Sequence, residues 1–223
     1  MPNEAKLLGK VRGIVQDTLL PTNRDEEQWQ LTGQGEELMA SCGISQEDIR
    51  QGRAFFTNNT TAVACVIAIP TTAVNIALYN NEPDGGRSYI IHRVTAQSLA
   101  AAAVITHNGI IGLLGQVREA IPTASAMTIK CLNGSGKLDT RARTIVAAST
   151  LAAGTGLAAN WFPLGYSYNS AVASLGGMGL VCDVAGRYIV PPGRYFGMHV
   201  LGSQVGTTWM MNIFWVEKVL LMG

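Results

Sequence analysis

The chain has 223 residues, only 14% of them charged, and a formal net charge of +1. Soluble domains average roughly 25% charged residues, and no Asp, Glu, Lys or Arg occurs from 144 to 182. A net charge this close to zero gives no sign of a basic surface that would bind a nucleic acid. A surface so poor in charge favours a subunit that hides its flanks in an oligomer over a freestanding monomer.

The sequence shows no clear signal for secretion, membrane insertion or disulfide formation. The first residues, MPNEAKLLGKVRG, lack the apolar core of a secretory signal, so we expect no export by that route. The uncharged run 94–117 is interrupted by polar residues and by Asn108-Gly109, a hairpin signal, so we do not predict a membrane span. Scattered cysteines without C-x-x-C spacing predict buried free thiols in a reducing compartment: Cys42, Cys65, Cys131 and Cys182.

Residues 1–59 differ from the rest and hold roughly half of the charges. Their apolar residues are too dispersed for a core, so we predict an extended N-terminal arm that docks on a neighbour, with Trp29 as its anchor. Capping patterns at Asn23 and Ser45 predict short helices near 24–31 and 46–53.

From Thr60 to Gly223 short apolar segments alternate with turn formers, which predicts one all-β sandwich or barrel domain over 60–223. No long helical period interrupts this pattern. The predicted strands span 61–69, 73–79, 87–96, 109–118, 125–132, 144–148, 171–175, 179–184, 188–190, 194–201 and 207–221.

The last strand is apolar on both faces. Trp209, Met211, Ile213 and Trp215 share one face by period-two alternation, and Phe214 lies on the other. Such a strand is either central and fully covered or pressed against another subunit. Because large rings dominate interface energetics, we predict Trp209, Phe214 and Trp215 as interface residues together with Trp29.

Catalytic and ligand motifs are incomplete. The segment NGSGKL at 133–138 departs from a phosphate-binding loop at two positions and predicts a surface turn. Three histidines, His92, His107 and His199, lack metal-ligand spacing, which favours core or interface roles for those in strands. We therefore predict no enzyme, no metal and no cofactor.

An aromatic cluster offers one further binding candidate. Trp161, Phe162, Tyr166 and Tyr168 could form a sugar-stacking platform, or they could fill the core or a subunit seam. The scarcity of neighbouring Asp and Arg favours the second interpretation.

Four segments carry a resemblance to a known family. They are ALYNNEPDGGRSYIIHRVTA (77–96), NWFPLG (160–165), RYIVPPGRYFGMHV (187–200) and FWVEKV (214–219). From Thr60 onward the chain resembles jelly-roll virion proteins of tailed bacteriophages, a group of capsid cement or decoration proteins. The resemblance implies a jelly-roll β-sandwich, preceded here by an N-terminal extended arm containing short helices.

The resemblance also implies a function. We expect a non-enzymatic virion structural protein that forms a homo-oligomer, a trimer, and stabilises the shell by binding the major capsid protein through its arm and its sandwich. It would lie on the capsid exterior after assembly in the host cytoplasm, without direct contact with nucleic acid or membrane. Two alternatives remain: a tail or fibre receptor-binding jelly-roll, and a jelly-roll shell subunit of a small icosahedral virus. Arms of such shell subunits are often basic, whereas this one holds more acids than bases.

Overall fold

The structure is a computed structural model that describes residues 45–71, 74–100, 106–115, 127–136, 139–148, 161–169, 179–203 and 206–220. The chain divides into two compact units, Met1–Gln46 and Glu47–Gly223. Nearly all described residues belong to the second unit. The predicted helix near 24–31 and the predicted anchor Trp29 lie outside the described residues.

One short helix and eleven strands form the described part. They are α1 (Ser45–Arg50), β1 (Ala54–Asn58), β2 (Val63–Ala64), β3 (Val74–Tyr79), β4 (Arg87–Ala100), β5 (Thr106–Leu114), β6 (Ile129–Cys131), β7 (Arg143–Ala148), β8 (Trp161–Asn169), β9 (Gly179–Val190), β10 (Tyr195–Gly202) and β11 (Thr208–Val219). The helix near 46–53 was predicted, and it ends at Arg50.

The strands form two antiparallel sheets. The first has the order β6-β1-β11-β4-β9, with β2 pairing the start of β11, and the second has the order β7-β3-β10-β5-β8. Side chains from both sheets meet in one buried cluster that includes Phe55, Tyr89 and Trp215 from the first and Ile76 and Phe196 from the second. The described part is therefore all-β, as predicted, with the two sheets packed as a sandwich.

A second apolar cluster lies on the second sheet. Its members are Val74, Ala77, Tyr79, Leu113, Ile145 and Tyr195, all buried. Along β3 every residue is buried, so this strand is covered on both faces. A strand buried on both faces is typically a nearly continuous apolar run, and VNIALY is one apart from Asn75. The Asn75 side chain is hydrogen bonded to the backbone of Ala64 and Val200.

Several strands differ from the sequence prediction. β9 joins two strands predicted separately at 179–184 and 188–190, and only Val63–Ala64 of the predicted strand 61–69 is a strand. β1 and β8 lie outside the predicted strands. β1 lies on the arm side of the predicted boundary at 59/60, yet it pairs with β11 and β6 inside the first sheet. β8 was not predicted, because Pro163 argues against a strand. The proline is tolerated there because β8 is an edge strand and pairs only with β5. The predicted strand at 171–175 lies outside the described residues.

Strand β11 is central, between β1 and β4. Trp209, Met211, Ile213 and Trp215 are all buried on its inner face, which confirms the predicted alternation. A bulge between Phe214 and Trp215 then shifts the register against β4. After the bulge Val216 and Glu217 are also buried, so the alternation stops there.

Three of the four cysteines fall in the described part. Cys65, Cys131 and Cys182 are buried and form no disulfide, as predicted. Among the described residues no helix has the length and apolar character to cross a membrane.

Candidate assembly interface

The two tryptophans of β11 are core residues. Trp209 is 0% exposed and Trp215 is 1% exposed within one chain. The ring of Trp215 packs against Phe55 and Tyr89, with centroid distances of 5.9 and 6.3 Å. Because the inner face of a central strand points into the sandwich, these side chains have no surface left for a partner. Trp209 and Trp215 were predicted as interface residues, and the structure places both in the core instead.

Phe214 lies on the opposite face of β11 and is only half-buried. It stacks on Phe56 of β1, with ring centroids 5.7 Å apart and planes inclined by 18°. The Lys130 ammonium lies 6.0 Å from the centroid of the Phe56 ring, within cation–π range. We call Phe56, Phe214 and Lys130 the phenylalanine patch. It combines two half-buried rings and one exposed cation on the outer face of the first sheet.

Other large apolar side chains are strongly exposed. They are Ile67 (67%), Ile69 (52%), Leu99 (50%), Tyr166 (88%), Val181 (62%) and Val219 (67%). A single exposed apolar residue is normal on a protein surface. Six of them in the described part, in a chain with 14% charged residues, give that surface a weakly polar character.

A buried asparagine joins two of the sequence motifs. The side-chain amide of Asn80 donates to the carbonyls of Arg87 and Val190, each at 2.8 Å, and its oxygen accepts from the Glu82 N–H at 3.0 Å. Its own carbonyl accepts from Gly193 at 2.8 Å. The NNEPDGG loop and the VPPG corner are thus hydrogen bonded to each other through one 2% exposed side chain.

Glycines let these two turns close. Gly193 has φ of 75°, a backbone conformation that only glycine adopts readily. At Gly86 an added Cβ would lie 2.9 Å from both the Cβ of Glu82 and the carbonyl oxygen of Pro83. The glycines of the NNEPDGG and VPPG motifs are therefore required by the backbone conformation of one turn and by the close packing of the other.

A buried carboxylate fastens α1 to the last strand. Asp48 has an Oδ1 atom 3.1 Å from Nη2 of Arg53 and an Oδ2 atom 2.8 Å from Nζ of Lys218. The side chain is 2% exposed, whereas both cations reach solvent. A buried carboxylate needs such partners because its desolvation is costly.

A second buried carboxylate, Glu217, lies next to Lys218 near the C-terminal end of β11. Glu217 is 0% exposed and accepts hydrogen bonds from the Thr140 hydroxyl and from Nε1 of Trp215, the latter at 3.2 Å. Nη1 of Arg87 lies 3.4 Å from its Oε2, and Arg87 also binds Asp139. Burial raises the pKa of Glu217 above its ordinary value of 4.5, against the opposing effect of these hydrogen bonds.

This raised pKa predicts a pH dependence of stability. The pKa of Glu217 is higher in the folded state than in the unfolded state, so the protonated carboxyl favours folding. This contribution to the free energy of unfolding is fully present below about pH 4.5 and is lost as the pH rises through the folded-state pKa. We expect the free energy of unfolding of Glu217→Gln, relative to the native chain, to increase from pH 4 towards neutrality. Urea denaturation of both proteins at each pH measures this difference.

The comparison cancels groups common to both proteins, including His92 and His199, whose pKa values are lowered mainly by burial. A constant difference between the two proteins across this pH range would contradict the assignment. A difference that changes in the opposite direction would contradict it too.

The histidines do not form a metal cluster in the described part of the chain, where no three His, Cys, Asp or Glu side chains come together. His199 is 4% exposed, with its Nδ1 atom 3.1 Å from the carbonyl of Val200. Its ring lies edge-on to Trp161, with centroids 6.2 Å apart. This agrees with the core role predicted for a histidine in a strand.

The loop that imitates a phosphate site is a turn where it is described, up to Gly136. The side-chain oxygen of Asn133 accepts from the N–H of Ser135 at 2.8 Å, and Gly134 has φ of 74°. Both features belong to a surface turn stabilised by its own asparagine.

The aromatic cluster around Trp161 separates into different environments. Trp161 is half-buried and donates from Nε1 to the carbonyl of Pro70 at 2.9 Å. Phe162 stacks on Tyr188, with centroids 4.6 Å apart. Tyr166, by contrast, is 88% exposed, and the side chain of Tyr168 lies outside the described part. The cluster is therefore not a single platform.

Sequence reasoning missed Phe56, because the short run AFFTN at 54–58 lies among charged residues. Two adjacent aromatics before a threonine were the available signal. Comparison with known proteins adds no further guide: no family model, curated protein or solved structure matches this chain.

Proposed function

We propose that this chain is a virion structural protein with a jelly-roll fold, a capsid cement or decoration protein that acts as a homotrimer. One observation supports the jelly-roll part of the proposal, namely the order of the strands in the two sheets. Leaving aside β2 and β6, which have two and three residues, and the edge strand β7, the first sheet runs β1-β11-β4-β9 and the second runs β3-β10-β5-β8.

This order matches two interlocked Greek keys. Every chain connection among these eight strands crosses from one sheet to the other, except the one from β5 to β8. The last strand returns to lie between the first and the fourth, so chain ends distant in sequence are paired. Eight strands so arranged are typical of jelly rolls, which occur in viral capsid, lectin and cupin domains.

Fold alone does not give function, so the role rests on the surface. The phenylalanine patch offers stacked rings on the outer face of the first sheet, where a sister subunit can cover them. Burying such a patch in each of three copies would explain the low fraction of charged residues. The arm before Thr60 would then reach the major capsid protein, and many weak contacts repeated over a shell would together resist internal pressure.

The oligomeric state tests the first part of the proposal. We expect the full-length protein to have three times the 23.7 kDa mass of one chain. We expect Phe214→Glu to be monomeric, because the substitution removes the stacked ring and puts a charge in the seam that would have to be desolvated. Light scattering after size-exclusion chromatography, at micromolar protein concentration, measures both masses. As a control, Thr60→Glu adds the same charge at an exposed position and should leave the trimer intact.

Shell stability tests the second part. Heads of the phage that encodes this chain, stripped of it, should release DNA at a lower temperature than heads to which the full-length protein is restored. A native monomer at micromolar concentration, or restoration without any change in release temperature, would refute the role.

A further inference from the structure

A groove of about 320 Å³ opens between the edge strands β8 and β9. Its buried lining comes from Leu180, Cys182 and Val184, which belong to the core cluster. Its exposed lining includes Tyr166 from β8 and Asp183 and Arg187 from β9. The groove therefore has an apolar floor and a polar, aromatic rim, as small-ligand sites commonly have.

Both edges are shaped against pairing with another strand. In β8 the register with β5 shifts between Ile110 and Ile111, so Leu164 is an extra residue beside Pro163. In β9 the backbone turns at Ala185 and Gly186, with φ of 49° and 77°. Prolines and bulges at sheet edges block the addition of a strand from another chain. Bulges also re-aim side chains next to binding sites.

The walls of the groove are held close together. An added Cβ at Gly165 would lie 2.6 Å from Sγ of Cys182, so glycine is what allows β8 to approach β9 here. Phe162 of β8 stacks on Tyr188 of β9 and fixes the two strands to each other. A groove with fixed walls loses little entropy when it binds a ligand.

The rim presents groups suited to a polyhydroxylated ring. The ring of Tyr166 is 88% exposed, and no aromatic or hydrogen-bond partner for it occurs among the described residues. Asp183 is oriented by Arg93, whose Nη2 lies 3.1 Å from its Oδ2, and keeps further lone pairs for hydroxyl donors. Arg187 supplies hydrogen-bond donors, so the rim offers both donors and acceptors to hydroxyl groups.

We propose that this groove binds a saccharide, with the Tyr166 ring against the C–H face of a pyranose and with Asp183 and Arg187 bound to its hydroxyls. The site is independent of the phenylalanine patch, which lies on different strands, β1, β6 and β11. It adds a recognition function to the structural role proposed above.

Binding to immobilised oligosaccharides tests this site. The full-length protein is applied to a panel of neutral hexose, amino-sugar and acidic-sugar oligosaccharides, and the strongest binder is then titrated in solution by calorimetry. We expect binding to at least one member, weakened about tenfold or more by Tyr166→Ala and also weakened by Arg187→Ala. Leu99→Ala, a substitution of another exposed apolar residue outside the groove, should bind like the native protein.

The thermal unfolding temperature of each variant shows whether a loss of binding is caused by a loss of folding. Tyr166 is almost fully exposed, so Tyr166→Ala should unfold at the native temperature. No binding to any member of the panel would overturn the proposal, as would binding that Tyr166→Ala leaves unchanged or that Leu99→Ala abolishes equally. The oligomer measurement does not involve this groove, so the two proposals can fail separately.

Discussion

Replacing Trp209 with alanine is expected to lower the free energy of unfolding by about 4 kcal/mol, the range for large aromatic side chains removed from a core. Trp209 is 0% exposed, and its Nε1 donates to the hydroxyl of Thr207 at 3.1 Å. For a chain of this size the loss corresponds to a fall in melting temperature of roughly 8–16 °C. Thermal and urea unfolding at one fixed protein concentration measure it, because oligomerisation makes stability depend on concentration.

The matched variant is Phe214→Ala on the opposite face of the same strand. Phe214 is half-buried on the outer face, so its removal should cost much less stability and should weaken the oligomer. Trp209→Ala should do the reverse, destabilising the fold while the folded fraction keeps its oligomeric mass. If Trp209→Ala dissociated the oligomer at native stability, the assignment of this side chain to the core would fail.

Replacing Asn80 with alanine should have the next largest effect, a loss of about 3 kcal/mol. The substitution removes three side-chain hydrogen bonds and leaves the carbonyls of Arg87 and Val190 and the N–H of Glu82 without this partner. Each buried polar group left unsatisfied costs roughly 1–3 kcal/mol. Urea denaturation measures the loss, and hydrogen exchange should show faster exchange at the Glu82 amide.

Asn133→Ala is the control for this prediction. Asn133 makes a similar side-chain to backbone hydrogen bond, to Ser135, but it lies in an exposed turn. Its removal should change stability by less than about 0.5 kcal/mol, as for most surface substitutions. Equal losses in both variants would show that the Asn80 corner does not owe its stability to burial.

Trp209 and Asn80 stabilise two different parts of the fold, the core between the sheets and the corner where two turns meet. Trp209 fills the space between the sheets on a strand that pairs with β1, β2 and β4. Asn80 links the end of β3 and the start of β4, which are close in the chain, to the end of β9, which is 110 residues further on. An assembly subunit of the kind proposed needs this rigidity, because its outer faces can be complementary to neighbours only if the sandwich behind them does not deform.

Much of the architecture could be predicted from sequence. The strands that become β3, β4, β7 and β10 each lie within or across a predicted strand, because runs of β-branched and aromatic residues bounded by turn formers have few other structures available. The two prominent turn motifs were also recognised. That they meet through Asn80 was not predictable, because the partners of a buried asparagine depend on which distant strands are neighbours.

The errors have a common physical origin. Period-two alternation placed Trp209 and Trp215 on one face of the last strand, but whether that face points to a core or to a partner depends on the opposite sheet. The same limit applies to Tyr166, which belongs to an aromatic cluster in sequence and is exposed by itself in the structure. β8 escaped prediction because the tolerance for Pro163 depends on its place at the sheet edge.

The sequence by itself determined the all-β class, the faces of the last strand and the low charge, since these follow from local pattern and composition. Only the tertiary structure decided which aromatic rings are buried, which carboxylates are enclosed and where a groove opens. The buried rings are enclosed when strands more than a hundred residues apart, such as β1 and β11, pair and pack. The groove opens between the consecutive strands β8 and β9 because they are the edges of two different sheets. Alternation along one strand does not specify what lies opposite either of its faces.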